Sequence, residues 1–431
     1  MKPLVLLSAL LTLSSSAVAD WRSDADARIE RVRKGDLAVE LRGADGKPVK
    51  AARVEFQLKR HDFHFGTAIN NKAFSDQTDF GRAYRQFILD HLSGLVCENE
   101  MKWYYTEVER GRENYAPADA LLAFAEENDP RMRGHCLFWA KPKYVQPWVQ
   151  ALEPKELRAA VERRLTSVAT RYAGRLVSWD VNNEMLDGEF FREHLGADAP
   201  AWMFKEAARI DPKTPMFVNE YAIFGNPEKT DRYIALIRDL KGRGAPVAGI
   251  GVQSHDTDRL TDRPDAKPLA GDRPDWMMNT PVSPESLLAT LEKLHSETGL
   301  PIHLTEISAR TDDDARRGEA LEMLFRLGFS HASVEAILLW GFDAKTHWMG
   351  ENAALMLADG TLNPAGTRIS NLLREEWLTR GSNAGVRDGR LAFRGFYGKY
   401  ALSITLPDGR KIEREVRLSK AAPTAVVNLG G

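Results

Sequence analysis

Eight short apolar runs recur along the chain, at 63–69, 94–99, 132–139, 177–183, 216–221, 247–254, 302–307 and 336–342. Each is followed by a longer stretch with helical spacing. Near-continuous Val, Ile, Leu and Phe suits strands buried on both faces, and the interleaved stretches, clearest at 154–173 and 284–299, suit crossover helices. Eight such units predict an α/β fold, an eight-stranded parallel (β/α) TIM barrel over 61–381. The competing architecture, an open doubly wound sheet, usually carries a glycine-rich phosphate loop after its first strand, and Gly66-Thr67-Ala68-Ile69 is not one.

Period-two alternation marks the two ends of the chain instead. Residues 36–60 read as strand, turn at Asp45-Gly46, strand; 390–427 contain further alternating runs and a Pro407-Asp408-Gly409 turn. Because the ends of a domain often lie close together, segments 20–60 and 382–431 are expected to pair as one small accessory β-sandwich. A packing module is the simpler role for it, since no row of exposed aromatics is evident to mark a carbohydrate-binding face. The long connection 256–284, rich in Asp, Pro and Arg and containing Trp276-Met277-Met278, follows the sixth strand and is a candidate wall for a cleft.

Composition narrows the function. Of 431 residues 43% are hydrophobic, enough for a large core, and 59 basic residues nearly balance 61 acidic ones. No net field favours nucleic acid or an anionic membrane surface, so the expected partner is uncharged or of mixed charge. Residues 1–19 combine Lys2, an apolar run and a final Ala17-Val18-Ala19, the pattern of a signal peptide; a periplasmic or extracellular location is expected. Cys97 and Cys136 could form one disulfide or stay as two buried thiols. No metal-ligand spacing is present; His61 and His64 lack a nearby acidic set, so neither metal nor cofactor is expected.

Polar residues gather at one end of the apolar runs. Glu98, Glu100, His135, Trp139, Asn183, Glu184, Glu220, Gln253, His255, Glu306 and Trp340 all sit at or just past a strand's C-terminal end, which in a barrel is the face where chemistry is done. Two of the acids end strands four and seven, in Trp179-Asp180-Val181-Asn182-Asn183-Glu184 and His303-Leu304-Thr305-Glu306-Ile307-Ser308. Two carboxyls converging over one mouth are what glycosidic bond cleavage needs: one to protonate the leaving oxygen, one to attack the anomeric carbon or activate water.

These motifs, with Glu98-Asn99-Glu100-Met101-Lys102-Trp103, Arg133-Gly134-His135, Gly251-Val252-Gln253-Ser254-His255 and Leu339-Trp340-Gly341, resemble glycoside hydrolase family 10, the retaining endo-β-1,4-xylanases. Trp139-Ala140-Lys141-Pro142-Lys143-Tyr144, Val218-Asn219-Glu220-Tyr221 and the flanking β segments are similar to its plant-type branch. The resemblance implies Glu184 as acid/base and Glu306 as nucleophile, with His255 holding Glu306 and Asn183 donating to a sugar hydroxyl. Glu98, Asn99 and Lys102 would grip the next sugar and His135 the sugar at the cleavage point. Gln253 would sit near Glu184, and Trp139, Trp340 and Trp348 would line a cleft for a β-1,4-linked polysaccharide such as xylan. A β-glucanase with the same two carboxylates, or a non-catalytic polysaccharide-binding protein, would share much of this pattern. Two departures bear on specificity. Ala140 stands where the family usually has a sugar-contacting histidine, and Ser308 where it usually has an acid. Glu220 also ends a strand, but the resemblance gives it no catalytic role.

Overall fold

The structure, a computed structural model, describes residues 20–263, 265–268, 274 and 276–430. The leader pattern at 1–19 lies outside them. The chain enters through a helix, Trp21–Val32, which the alternating pattern of the N-terminal segment did not announce, and then forms β1 (Lys34–Arg42) and β2 (Ala51–His61). Eight strands follow, each near its expected run: β3 (His64–Ile69), β4 (Gly94–Cys97), β5 (Arg131–Trp139), β6 (Trp179–Asn183), β7 (Met216–Glu220), β8 (Val247–Ser254), β9 (Ile302–Ile307) and β10 (Val334–Leu339). They close in sequence order into one parallel barrel, with β10 pairing both β9 and β3.

The apolar runs explain the closure. Leu95, Val181, Val218, Ile250, Leu304 and Ile337, one from each of six strands, are completely buried, and each such side chain stabilises the fold by about 1.5–3 kcal/mol. Helices cover the outside. The helix Pro284–Thr298 starts where the Ser283 hydroxyl accepts from the Ser286 N–H and stops at Gly299, whose φ of 71° suits glycine. Gly134 serves the barrel differently: a Cβ there would lie 2.2 Å from the Trp179 ring, so β5 and β6 meet this closely only because the side chain is missing.

The chain ends in β11 (Arg380–Val386), β12 (Arg390–Phe396), β13 (Gly398–Thr405), β14 (Lys411–Leu418) and β15 (Thr424–Asn428). Both termini combine into two sheets, ordered β12-β1-β15 and β11-β2-β13-β14. β13 and β14 form a hairpin about the Pro407-Asp408-Gly409 turn, whereas β1 and β2 diverge, one into each sheet. The core between the sheets includes Leu37, Val39, Val54, Leu391, Leu402 and Ile404, all buried. Among the described residues its only strongly exposed large hydrophobic is Val426. His61 sits among the rings of Phe65, Phe329 and Phe396, at 5.1–5.8 Å, and burial pushes its imidazole down to about 4. It joins sandwich to barrel as a neutral aromatic group, and no acidic or cysteine partners form a metal cluster with it among the described residues.

The N-terminal helix packs Ala25 and Ile29 inward and is fastened by charge to the barrel helix Asp314–Ser330. Arg326 pairs with Asp26 and Glu322, each at 2.7 Å, and with Glu376; Glu322 also receives Arg22 and Arg368. Burial would raise the Glu322 carboxyl, but these three guanidiniums hold it at about 2. Substituting Arg326 by Met leaves Glu322 buried with fewer cations. The expected loss is about 2–3 kcal/mol in urea unfolding; a change within about 0.5 kcal/mol would show that the cluster contributes nothing net.

Candidate active site

Glu184 and Glu306 reach the C-terminal mouth of the barrel by different local routes. Glu306 lies within β9, on the inward side of a strand buried throughout. Glu184 follows the last residue of β6, adopts φ 57°, and donates its N–H to the Asn219 carbonyl at 3.0 Å. A non-glycine residue in this left-handed conformation costs on the order of 1–3 kcal/mol, and such strain is characteristic of functional positions. Its effect is to turn the chain off the strand at the residue that carries the carboxyl.

The two acids have unlike surroundings. Glu306 Oε1 accepts from Asn219 Nδ2 at 2.7 Å, with His135 Nε2 at 3.9 Å, and Oε2 accepts from His255 Nε2 at 3.1 Å. Burial alone would favour the neutral acid, yet His135, His255 and Lys102 outweigh it and hold Glu306 at about 2. It is therefore a carboxylate throughout the mildly acidic and neutral range, as a nucleophile must be. The Ser308 hydroxyl stands 3.3 Å from the other ring nitrogen of His255, Nδ1. Ser308, in place of the usual acid, adds no charge here and can donate to that nitrogen or accept from it. Glu184 takes donors on both oxygens: Gln253 Nε2 at 3.2 Å on one, Trp139 Nε1 at 3.0 Å and Lys141 Nζ at 2.8 Å on the other.

A second layer orients these groups. His135 Nδ1 meets Asp180 Oδ2 at 2.9 Å, and Asp180 is paired with buried Arg133, which also reaches Ser178 and His303. Asn183 Oδ1 accepts from Asn219 Nδ2 at 2.9 Å and from Gln253 at 3.4 Å, so its own amide nitrogen is the group with hydrogens to give.

The cleft is a cavity of about 420 Å³ lined by both polar and aromatic side chains. On one side Glu98 accepts from Asn70 Nδ2 at 3.2 Å, and Asn99 Oδ1 accepts from Lys102 at 3.4 Å and Tyr104 at 2.7 Å. Burial raises Glu98, against the pull of Lys102. The Lys102 ammonium lies over the rings of Trp139 and Trp340, at 4.7 and 5.5 Å. Trp348, 43% exposed, stands 4.8 Å from His255 and 5.8 Å from Trp276 in a stacked pair. Trp276 thus brings the long connection after β8 to the cleft.

Sequence reasoning passed over several of these groups. Asn219, next to the Glu220 that drew attention, bridges Asn183 to Glu306. Lys141, Tyr144 and Tyr221 line the cavity, and Asp180 was quoted without a role; Trp276, on the connection already read as a cleft wall, lines it too. In contrast, Glu100 turns away to accept the Asn71 and Asn99 N–H groups at 2.6 and 3.1 Å, and Trp103 is buried, donating to Glu107 at 2.8 Å. Cys97 and Cys136 are free, buried thiols. Ala140, 1% exposed, offers the cleft no polar atom.

Glu220 is fully buried and accepts the Leu186 N–H at 2.7 Å. Burial pushes its carboxyl up to about 8, with Glu184 and Asp187 adding to the rise. A carboxyl raised on folding contributes its stability below the unfolded value, near 4.5, and loses it as pH climbs toward 8. Glu220→Gln should therefore stabilise the protein at pH 7 by about 1–3 kcal/mol and do little at pH 4.5. Equal effects at both pH values in thermal unfolding would refute this.

A closed (β/α) barrel with two differently held carboxylates in an aromatic-walled cleft at its C-terminal mouth has the architecture of the barrel glycoside hydrolases. The sequence model of glycosyl hydrolase family 10 matches residues 56–369, and the chain belongs to that family. It is 37% identical over 404 residues to the anti-sigma-I factor RsgI6 of Acetivibrio thermocellus, covering 94% of this chain and 49% of that protein. It is also 35% identical over 399 residues to endo-1,4-beta-xylanase 2 of Arabidopsis thaliana, covering 92% and 35% respectively. The chain thus spans half or less of the length of these curated relatives. Among solved structures it resembles xylanase 10B of Thermotoga petrophila RKU-1 in complex with xylobiose, with TM-score 0.62 and 25% identity over 73% of this chain and 95% of that one.

Proposed function

We propose that the chain is a retaining endo-β-1,4-xylanase, cutting internal bonds of xylan by double displacement. The observation that carries this reading is the contrast between the two acids. Glu306 is locked as a carboxylate by Asn219 and His255, while Glu184 is held by a separate set of donors, Trp139, Gln253 and Lys141, that line the same cleft. Glu306 attacks the anomeric carbon, and Glu184 delivers a proton to the departing oxygen; Glu184 then takes a proton from the water that releases the glycosyl group. Asn183 and His135 act on the sugar at the cleavage point, the Asn183 amide toward its 2-hydroxyl. Glu98, Asn99 and Lys102 bind the sugar beyond it, and Trp139, Trp340, Trp348 and Trp276 supply flat apolar faces. Water and two carboxylates suffice for this reaction.

The leader pattern at 1–19 supports export to a compartment where polysaccharide is met, and the mass of the exported protein, starting at Asp20, checks it. Ala140 favours one second reading, in which the same machinery accepts β-glucan, because a methyl group withdraws one sugar-selective contact. Reducing-sugar release from xylan, cellulose and β-glucan separates the two. Release from xylan alone fits the main reading, comparable release from β-glucan the second, and release from none of them overturns both.

A further inference from the structure

The carboxyl group of Glu184 is surrounded by donors only. Trp139, Gln253 and Lys141 each present an N–H group within 2.8–3.2 Å, and two of the three converge on the same oxygen. A protonated carboxyl has one O–H that must find an acceptor, and none of these groups is one. As placed, the three present donors alone, and of them only Lys141 carries charge.

Other charged and titratable groups approach from each neighbouring element. Glu306 comes from β9, and His255, beyond β8, is bonded to it. Glu220 ends β7, with Tyr221 next to it. Asp187, three residues past Glu184, pairs at 2.6 Å with Lys229 of the helix Pro227–Gly242. Lys102 lies over the two tryptophans on the other side of the cleft. Glu306 and Asp187 oppose a further negative charge, Glu220 is held as the neutral acid below about 8, and Lys229 is engaged by Asp187. Lys141 is left as the cation in contact with the Glu184 carboxylate.

Lys141 also has a second partner in place. Its Nζ is 3.1 Å from the Tyr221 hydroxyl oxygen and 4.2 Å from the centre of that ring. An ammonium released by Glu184 can stay on Tyr221 with a small side-chain movement.

We propose that Lys141 is a positioning residue for the acid/base: it clamps Glu184 as a carboxylate in the free enzyme and passes to Tyr221 when Glu184 takes up the proton destined for the leaving oxygen. The proton comes from solvent, Lys141 remains an ammonium throughout, and only the hydrogen bond changes hands. The residue immediately after Ala140 thereby supplies a polar hold on the acid side of the cleft. This inference rests on the assignment of Glu184 made above.

The test is the pH profile of kcat/KM on a xylo-oligosaccharide for the wild-type chain, Lys141→Met, Lys141→Gln and Lys141→Arg. Loss of the cation eases protonation of Glu184, so the alkaline limb should move to higher pH by about 1 unit in the Met and Gln variants, the low end of the 1–3 units an adjacent opposite charge produces, because Lys141 keeps some solvent contact. The Arg variant should keep the limb near its wild-type position. An active chain whose limb is unmoved in Met and Gln, with only KM raised, makes Lys141 a sugar contact and overturns the inference while leaving the proposed function standing. An Arg variant that shifts the limb as far as Met also overturns it. A wild-type chain inactive on every substrate removes the proposed function, and this inference with it.

Discussion

Replacing Glu306 by Gln should lower xylan hydrolysis by about 10⁴-fold or more, since the attacking oxygen is lost and only binding and charge stabilisation remain. The fold should survive. Gln has the same shape, and Asn219 Nδ2, now 2.7 Å from Oε1, can still donate to the amide oxygen. His255, at 3.1 Å from Oε2, would lose its acceptor and face an amide N–H₂ unless its tautomer changes, so a small fall in melting temperature is expected beside the loss of turnover. Polysaccharide binding should persist. A variant that keeps even a tenth of wild-type turnover would remove Glu306 from the reaction.

Glu184→Ala should separate the two halves of the cycle. On xylan the expected loss is about 10²–10⁴-fold, the range for removing a general acid or base. On an aryl xylobioside with a leaving group acidic enough to depart unprotonated, the first step should stay fast and release of the glycosyl-enzyme should become limiting. Such a variant shows a burst of phenol and is accelerated by azide, a small anion that needs no base and fits the space vacated by the side chain. Equal losses on xylan and on the activated substrate, without a burst or azide rescue, would mean that Glu184 is not the acid/base.

The barrel was legible in the sequence because its signal is redundant: eight buried strands repeat one pattern, and a misread boundary, such as 177 for the start of β6 at Trp179, changes nothing. The sandwich was legible through period-two alternation and the Pro407-Asp408-Gly409 turn, but not the partition of β1 and β2 between sheets, which is decided by pairing with strands more than 300 residues away. The entry helix escaped because it is short and rich in charge, and its fastening to Arg326 is a contact across 300 residues that no local pattern encodes.

At the site, motif spacing placed Glu184, Glu306, His255 and Gln253 at strand ends; Glu306, His255 and Gln253 line one cleft, and Glu184 is bonded to Gln253 beside it. What spacing could not weigh was direction. Glu220 and Glu100 end strands or follow them as visibly as the others, yet their carboxyls turn to backbone N–H groups. Asn219 is the reverse case, one residue from the obvious acid and bonded to both Asn183 and Glu306. Lys141 could have been suspected from the departure at Ala140, which leaves a polar role to be filled nearby, but only the 2.8 Å contact with Glu184 shows which group it meets.

In the double displacement proposed here Glu306 forms a covalent bond to the sugar. Incubating the wild-type chain with a 2-deoxy-2-fluoro xylobioside bearing an activated leaving group, followed by mass spectrometry of the intact protein and its peptides, tests it directly. A single added fluoroxylobiosyl mass is expected, located on the peptide that contains His303-Leu304-Thr305-Glu306 and absent from Glu306→Gln. An adduct on any other carboxylate, or turnover of xylan by a chain that this reagent neither labels nor slows, would contradict it.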